Sequence, residues 1–347
     1  MGFTPIVING KTVYIHSAVS QPDFGGDTVL SDDPWDYVAL WLRRAKNDEA
    51  GFYWEQSREF YKASIELSPV SSPLTSYYCF LNATKALLTQ KRVPFSDKHG
   101  VTGYTKPGKK SLTNEIVQLK GSGMLHSLCS FLGENVQPQE EYSLKNIFHH
   151  LPFMHRTFTL TYQSATELFL PLKKPMFVRK DSSSEAYFVA ELDNRYVSSQ
   201  LKNVLPLGYE VDAGVGDRCL IRRKKRFSWE NRGNQQSSNL QSLIDYHYKV
   251  RKDVTPIFAP VNRWYLKKNL KTVQPVEKSQ LPLLFVAMHK LSELSRYDPI
   301  TLARHLDTQH NWILAEFLQV APAQFINHIA CEITGKEFVK PYAVRLS

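Results

Sequence analysis

Hydrophobic positions follow a helical period over long stretches of the chain, and the clearest is 71–88, SSPLTSYYCFLNATKALL. Tyr77, Leu81, Thr84 and Leu88 recur at i, i+4, i+7 and i+11, and Phe80 and Leu87 widen the stripe. That spacing predicts a helix with one face buried in a core. Ser72 is the expected N-cap and Pro73 the expected first helical residue, where a missing N–H costs nothing. Beside the stripe, Tyr78, Asn82 and Lys85 fall at i, i+4 and i+7 and set a phenol, an amide and an amine in a row along its edge.

The other elements follow in order. Residues 5–16 alternate β-branched and polar positions around Asn9-Gly10, the signature of a hairpin closed by a type I′ turn. Asp33-Pro34 opens a helix expected to run to about Asp48, with Gly51 ending or interrupting it and a further helix over 54–67. Residues 91–107, with Pro94, Gly100 and Gly103, read as loop, and 111–132 as mixed structure. Residues 143–170 read as helix broken at Pro152. From 171 to 226 the pattern shifts to short β-type runs between Ser- and Gly-rich turns. A polar, mobile stretch over 233–242 and a short helix over 243–252 come next. Helices over 280–295, from Pro299, over 311–320 and over 324–333 complete the chain. The expected class is α+β: predominantly α-helical, with an inserted β-rich middle region and an N-terminal β-hairpin. The expected domains are 1–170, hairpin plus helices; 171–255, a β-rich basic insert; and 256–347, helices packing back on the first part.

Composition changes this picture at one place. The 347 residues, 42% hydrophobic and 22% charged, suffice for a sizeable core and about two domains. The net charge of +10 is not spread evenly: residues 222–271 hold thirteen Lys or Arg against three acids and so carry all of the excess. Arg222, Arg223, Lys224, Lys225, Arg226, Lys249, Arg251 and Lys252 form the densest part of this strip. Such a block is the usual electrostatic footprint of a polyanion partner. Cys79, Cys129, Cys219 and Cys331 form no CxxC pair, which fits reduced thiols. No signal segment opens the chain, and the longest clean apolar run, 281–288, falls well short of the roughly 20 residues that span a bilayer. The expected location is the cytoplasm.

The run SPLTSYYCFLNATKALL, then DKHGV, YSLKNIFHHLPFMHRTF, SELSRYDPITL and NWILAEFL, in that order, resemble the YaaC-like family of bacterial proteins. The resemblance implies a mostly helical cytoplasmic protein and brings no established catalytic residues. Tyr78, Asn82, Lys85, His99-Gly100, Arg296-Tyr297 and Pro299 are the positions that match recurring family patterns. A weaker, fold-level similarity is to HEPN-type helical domains, which occur in bacterial conflict and RNA-processing systems.

That similarity implies one chemistry. HEPN-type ribonucleases use an Arg and a His with four to six residues between them, without a metal, the imidazole moving the proton of the 2′-hydroxyl and the guanidinium stabilising phosphate charge. Arg92 and His99 have six residues between them and follow the central helix; Arg304 and His310 have five. On one helix the latter pair would point about 120° apart. His126, Cys129, His149, His150 and His155 lack zinc-finger or HExxH order, so no metal and no cofactor is expected. No P-loop, GxGxxG, GxSxG or kinase motif is present. The sequence therefore points to a non-enzymatic or accessory component associated with nucleic acid, or with a nucleic-acid-bound protein, in the setting of antiviral defence. The rival reading is a metal-independent HEPN-type ribonuclease using Arg92 and His99.

Overall fold

The computed structural model describes residues 2–108, 110–181, 183–198, 200–212, 219–230, 236–260 and 263–341. Arg232 of the basic segment and residues 233–235 of the polar stretch lie outside the described residues. The chain is α+β and divides into two compact units. One comprises Met1–Leu30, Leu168–Val273 and Gly335–Ser347, the other Ser31–Glu167 and Gln274–Thr334. No helix among the described residues is long and apolar enough to cross a membrane.

The first unit is built on an eight-stranded antiparallel sheet whose longest strand is Phe169–Lys180. A bulge between Lys173 and Met176, with Lys174 at φ 48°, splits that strand into two pairing segments. Ahead of the bulge, Phe169 to Leu172 pair with Arg263–Lys267; beyond it, Val178 to Lys180 pair with Phe3–Pro5. The N-terminal residues thus extend this sheet, and the sheet continues past residue 255 through Val254–Ile257 and Arg263–Lys267. The hairpin joins Val7–Ile8 to Lys11–Thr12, and Asn9 and Gly10 both take positive φ, as a type I′ turn requires. Helix Gln236–Arg251 covers one face and buries Leu243, Tyr246 and Val250 among Phe177, Phe188, Ile221 and Leu266.

The second unit is organised around Ser72–Gln90, which packs against helices Asp48–Glu66, Gln280–Tyr297 and Asn311–Thr334. The expected stripe is buried throughout: Tyr77, Phe80, Leu81, Thr84, Leu87 and Leu88 are all enclosed. Phe80 stacks on Phe325 with ring centroids 4.0 Å apart and planes 3° from parallel. The cap differs from expectation, because Ser71 holds the N-cap position without a side-chain capping bond and Pro73 lies one residue inside the helix. The preceding break also moves. Lys46 turns the chain at φ 53°, Asn47 accepts from Ala50 N at 3.1 Å, and Asp48–Glu66 runs straight through Gly51. A side-chain cap outweighed a lone glycine. Likewise Asn311–Thr334 continues through Pro322 as one helix.

A three-stranded antiparallel sheet, Val101–Thr105, Glu115–Leu119 and Glu141–Ser143, occupies part of the stretch read as loop and mixed structure. Gly103 disguised its first strand. A Cβ there would lie 2.1 Å from Glu293 Oε2 and 2.6 Å from Lys290 Cδ, so any larger residue would push both side chains aside.

Candidate functional site

The loop after the central helix folds back along it, and backbone bonds fix its path. Helix Met124–Phe131 begins with unpaired N–H groups, as every helix does, and the loop satisfies two of them. Met124 N donates to Lys98 O at 2.7 Å and Leu125 N to His99 O at 3.1 Å. The backbones meet at Gly100 (φ 77°) and Gly123 (φ 100°); a Cβ on Gly123 would come within 2.6 Å of Gly100 N. His99-Gly100 is therefore a docking point, with an exposed imidazole on a rigid base.

His99 Nδ1 lies 2.7 Å from Tyr77 Oη. Behind the pair stands the buried His289, and the three rings form a triangle with centroid distances of 5.4 Å (Tyr77 to His99), 4.9 Å (Tyr77 to His289) and 5.5 Å (His99 to His289). One turn along the same helix from His289, Glu293 accepts from Gly103 N at 3.2 Å and approaches His289 Nδ1 at 3.9 Å. Partial burial, then the charges of Arg296 and Lys85, lower the pKa of His99. Burial and the neighbouring His99 and Lys290 push His289 down to about 3. Burial raises Tyr77 far above the ordinary phenol range, and raises Glu293 despite Lys290 and the Gly103 N–H. The result is an exposed imidazole whose neutral form is favoured by partial burial and by the charges of Arg296 and Lys85.

The polar row does not converge as a unit. Asn82 Nδ2 donates to Tyr78 O at 2.9 Å on its own helix, and Tyr78 stacks on Phe60 at 5.3 Å. Lys85 does reach the site, with Nζ 3.0 Å from Asp97 Oδ1 and 5.3 Å above the Tyr53 ring. Arg92 is exposed at the end of the central helix, at φ 56°. The cations whose fields act on His99 are Arg296 and Lys85. Arg304 is exposed, whereas His310 is buried against His305 at 5.6 Å. The other histidines have local roles: His149 stacks on Phe158 at 4.3 Å, His150 Nδ1 bonds Asn146 O at 2.8 Å, and His155 Nδ1 bonds Pro152 O at 2.5 Å. Among the described residues no group of three or more His, Cys, Asp or Glu is arranged to hold a metal ion.

Next to the imidazole pair lies a buried charge cluster. Glu115, with no exposed surface, meets Lys290 Nζ at 3.2 Å, His305 Nε2 at 3.1 Å and the Thr105 hydroxyl at 2.7 Å. Burial alone would raise its pKa, but the bonds from His305 and Thr105 and the charge of Lys290 hold the carboxyl below its usual range. His289 and Lys290 are adjacent in sequence, so this cluster fixes the helix that carries His289, Glu293 and Arg296.

In the sheet unit the basic strip resolves into two kinds of cation. Arg222 is paired with Glu210 at 2.7 Å and Asp212 at 2.9 Å, and Arg226 lies 4.2 Å over the Tyr187 ring. Arg223 lies 5.3 Å over Tyr246; Arg251 is buried, donates to Ser17 O at 3.2 Å and lies 5.0 Å over Trp264. These arginines hold the sheet and its helix together. Lys224, Lys225, Lys249 and Lys252 remain exposed.

A family model described as YaaC-like Protein matches residues 27–333. The chain belongs to the YaaC-like family. No curated protein and no solved structure matches it. The family match spans the His99 site and the basic strip alike. Within this YaaC-like chain, sequence reasoning found His99 and Lys85 but not Tyr77, His289 or Glu293 as polar participants. The available signal was His289, Lys290 and Glu293 interrupting an otherwise apolar helix, with His289 and Glu293 at i, i+4 on one face.

Proposed function

We propose that this chain is a non-enzymatic or accessory component that engages nucleic acid through phosphate, and that His99, Lys85 and Arg296 of the helical unit make the contact. The carrying observation is that two cations bear on one exposed imidazole whose inner edge is held by Tyr77. A phosphate oxyanion suits that arrangement, since charge-assisted bonds to Lys and Arg are the strong ones. The exposed Lys224, Lys225, Lys249 and Lys252 of the sheet unit supply sequence-independent attraction of the kind that polyanions elicit. Such a component acts in the bacterial cytoplasm, in the setting of antiviral defence; co-purification with a nuclease, helicase or ATPase encoded beside it tests that setting. The binding itself is tested by fluorescence anisotropy with labelled RNA and DNA. Wild type should bind with an affinity that falls steeply with salt, and Arg296→Ala should bind about tenfold more weakly, the usual loss for a charged hydrogen bond. Equal isotherms for the two proteins would remove the reading.

One observation favours a second reading, a metal-independent ribonuclease of the HEPN type. The lowered pKa of His99 leaves its imidazole neutral near pH 7, the state a general base requires. Cleavage of RNA in EDTA that disappears in His99→Ala would establish it, and intact RNA with the wild type would dismiss it.

A further inference from the structure

The nitrogen of His99 that faces Tyr77 is identified, and this decides what the opposite nitrogen can do. A neutral imidazole has one N–H and one bare nitrogen, and which is which follows from the partner of either one. His99 Nδ1 lies 2.7 Å from Tyr77 Oη. A phenol bound to an imidazole nitrogen can donate to it, or accept from its N–H. Two facts separate these cases. Among the described residues Tyr77 Oη has no other hydrogen-bond partner, so the phenolic proton has Nδ1 as its acceptor or none. Tyr77 is also 3% exposed, so a phenolic hydrogen turned away from Nδ1 would be left buried without water to accept it, at a cost of roughly 1–3 kcal/mol. Burial keeps that phenol protonated, so the hydrogen is always there to be placed.

We infer that Tyr77 donates to Nδ1 and thereby fixes His99 as the Nε2–H tautomer, which makes its outer nitrogen a hydrogen-bond donor for a phosphate oxyanion. This rests on the phosphate-binding reading above and sharpens it. In the resting tautomer His99 has no bare nitrogen with which to take a proton from a 2′-hydroxyl; it can hold an oxyanion without itself being charged. The groups that face it agree in kind. The central helix contributes Tyr77 and Lys85, and the helix Gln280–Tyr297 contributes Arg296, with His289 and Glu293 behind. The loop supplies an exposed counter-charge, Asp97, on Lys85. A ligand oxyanion would share Lys85 with Asp97 and receive the His99 N–H and the Arg296 guanidinium. Tyr77 acts through His99 and is a positioning residue.

The experiment uses the full chain labelled with 15N at histidine, read by long-range 1H–15N correlation at neutral pH, together with titrations of inorganic phosphate and of a short RNA carrying a 5′-phosphate. Wild type should show His99 with a protonated Nε2 and an acceptor-type Nδ1, and Tyr77→Phe should lose that fixed pattern. Phosphate or the RNA should shift the Nε2 signal. His99→Gln, whose amide can place an N–H near the Nε2 position, should bind within about threefold of wild type, whereas His99→Ala should lose about tenfold or more. A protonated Nδ1 in wild type overturns the inference whatever the RNA does. Loss of binding in His99→Gln equal to that in His99→Ala overturns it as well. A protonated Nε2 that shifts with inorganic phosphate but not with RNA keeps the tautomer and its oxyanion site, and removes the nucleic-acid reading instead.

Discussion

Lys290 Nζ lies 3.2 Å from Glu115 Oε2, and the two side chains are 4% and 0% exposed. An ion pair enclosed to that degree needs additional hydrogen bonds to balance desolvation, and His305 and Thr105 provide them. Lys290→Met leaves a carboxylate in the core with one cation removed. The expected loss of stability is about 3–5 kcal/mol, measured by urea unfolding, while the double substitution Glu115→Leu with Lys290→Met should recover much of it. A single variant as stable as wild type would show that the pair does not hold the helix of His289 and Arg296 in place.

The buried His289 makes stability depend on pH. Its folded pKa is about 3 against an ordinary 6.5, so between those values the unfolded chain binds a proton that the folded chain refuses. This contribution is complete above about pH 6.5 and is lost as pH falls toward the folded value, with a slope of about 1.4 kcal/mol per pH unit per proton. His99 contributes in the same direction. His289→Gln should flatten the fall in urea midpoint between pH 7 and pH 5 by about one proton. Identical pH profiles in the two proteins would contradict the burial of a neutral imidazole.

Much of the fold was legible because local signals and tertiary demands coincide. The stripe from Tyr77 to Leu88 is the buried face of the central helix, and Asn9-Gly10 forms the turn that its residues dictate. What stayed hidden was set by contacts distant in sequence. Val101–Thr105 has its glycine directly beneath Glu293, nearly two hundred residues later, and a strand with a glycine at its centre reads as loop. The candidate site divides the same way. His99 stands out beside Gly100, whereas Tyr77 looks like one more core aromatic until the loop brings an imidazole to its hydroxyl. The arginine paired with His99 by spacing was Arg92, while the one whose field reaches it, Arg296, comes from another helix.

Phe80 and Phe325 tie the central helix to the last helix of the unit, with parallel rings 4.0 Å apart and no exposed surface. Phe80→Ala should cost about 3–5 kcal/mol, the usual range for removing an enclosed aromatic ring. Phe80→Leu keeps much of the volume and should cost less. Unfolding midpoints that do not move in Phe80→Ala would place the core elsewhere.

The basic strip should separate by type of cation. Lys225→Ala removes an exposed charge and should lower the salt slope of nucleic-acid binding by about 0.9 on duplex DNA if that lysine contacts phosphate. Arg222→Ala instead removes the guanidinium that bridges Glu210 and Asp212, so the expected effect is on stability, with the salt slope unchanged. The reverse pattern, with Arg222 setting the slope, would mean that its ion pairs open to receive phosphate.

Hydrogen exchange read by mass spectrometry, with and without saturating RNA, tests most directly where nucleic acid sits. Protection over residues 92–103 and 289–297, with weaker protection over 222–226 and 249–252, is the expected result. Protection confined to the basic strip, or none anywhere, would contradict a phosphate site built on Tyr77, His99 and Arg296.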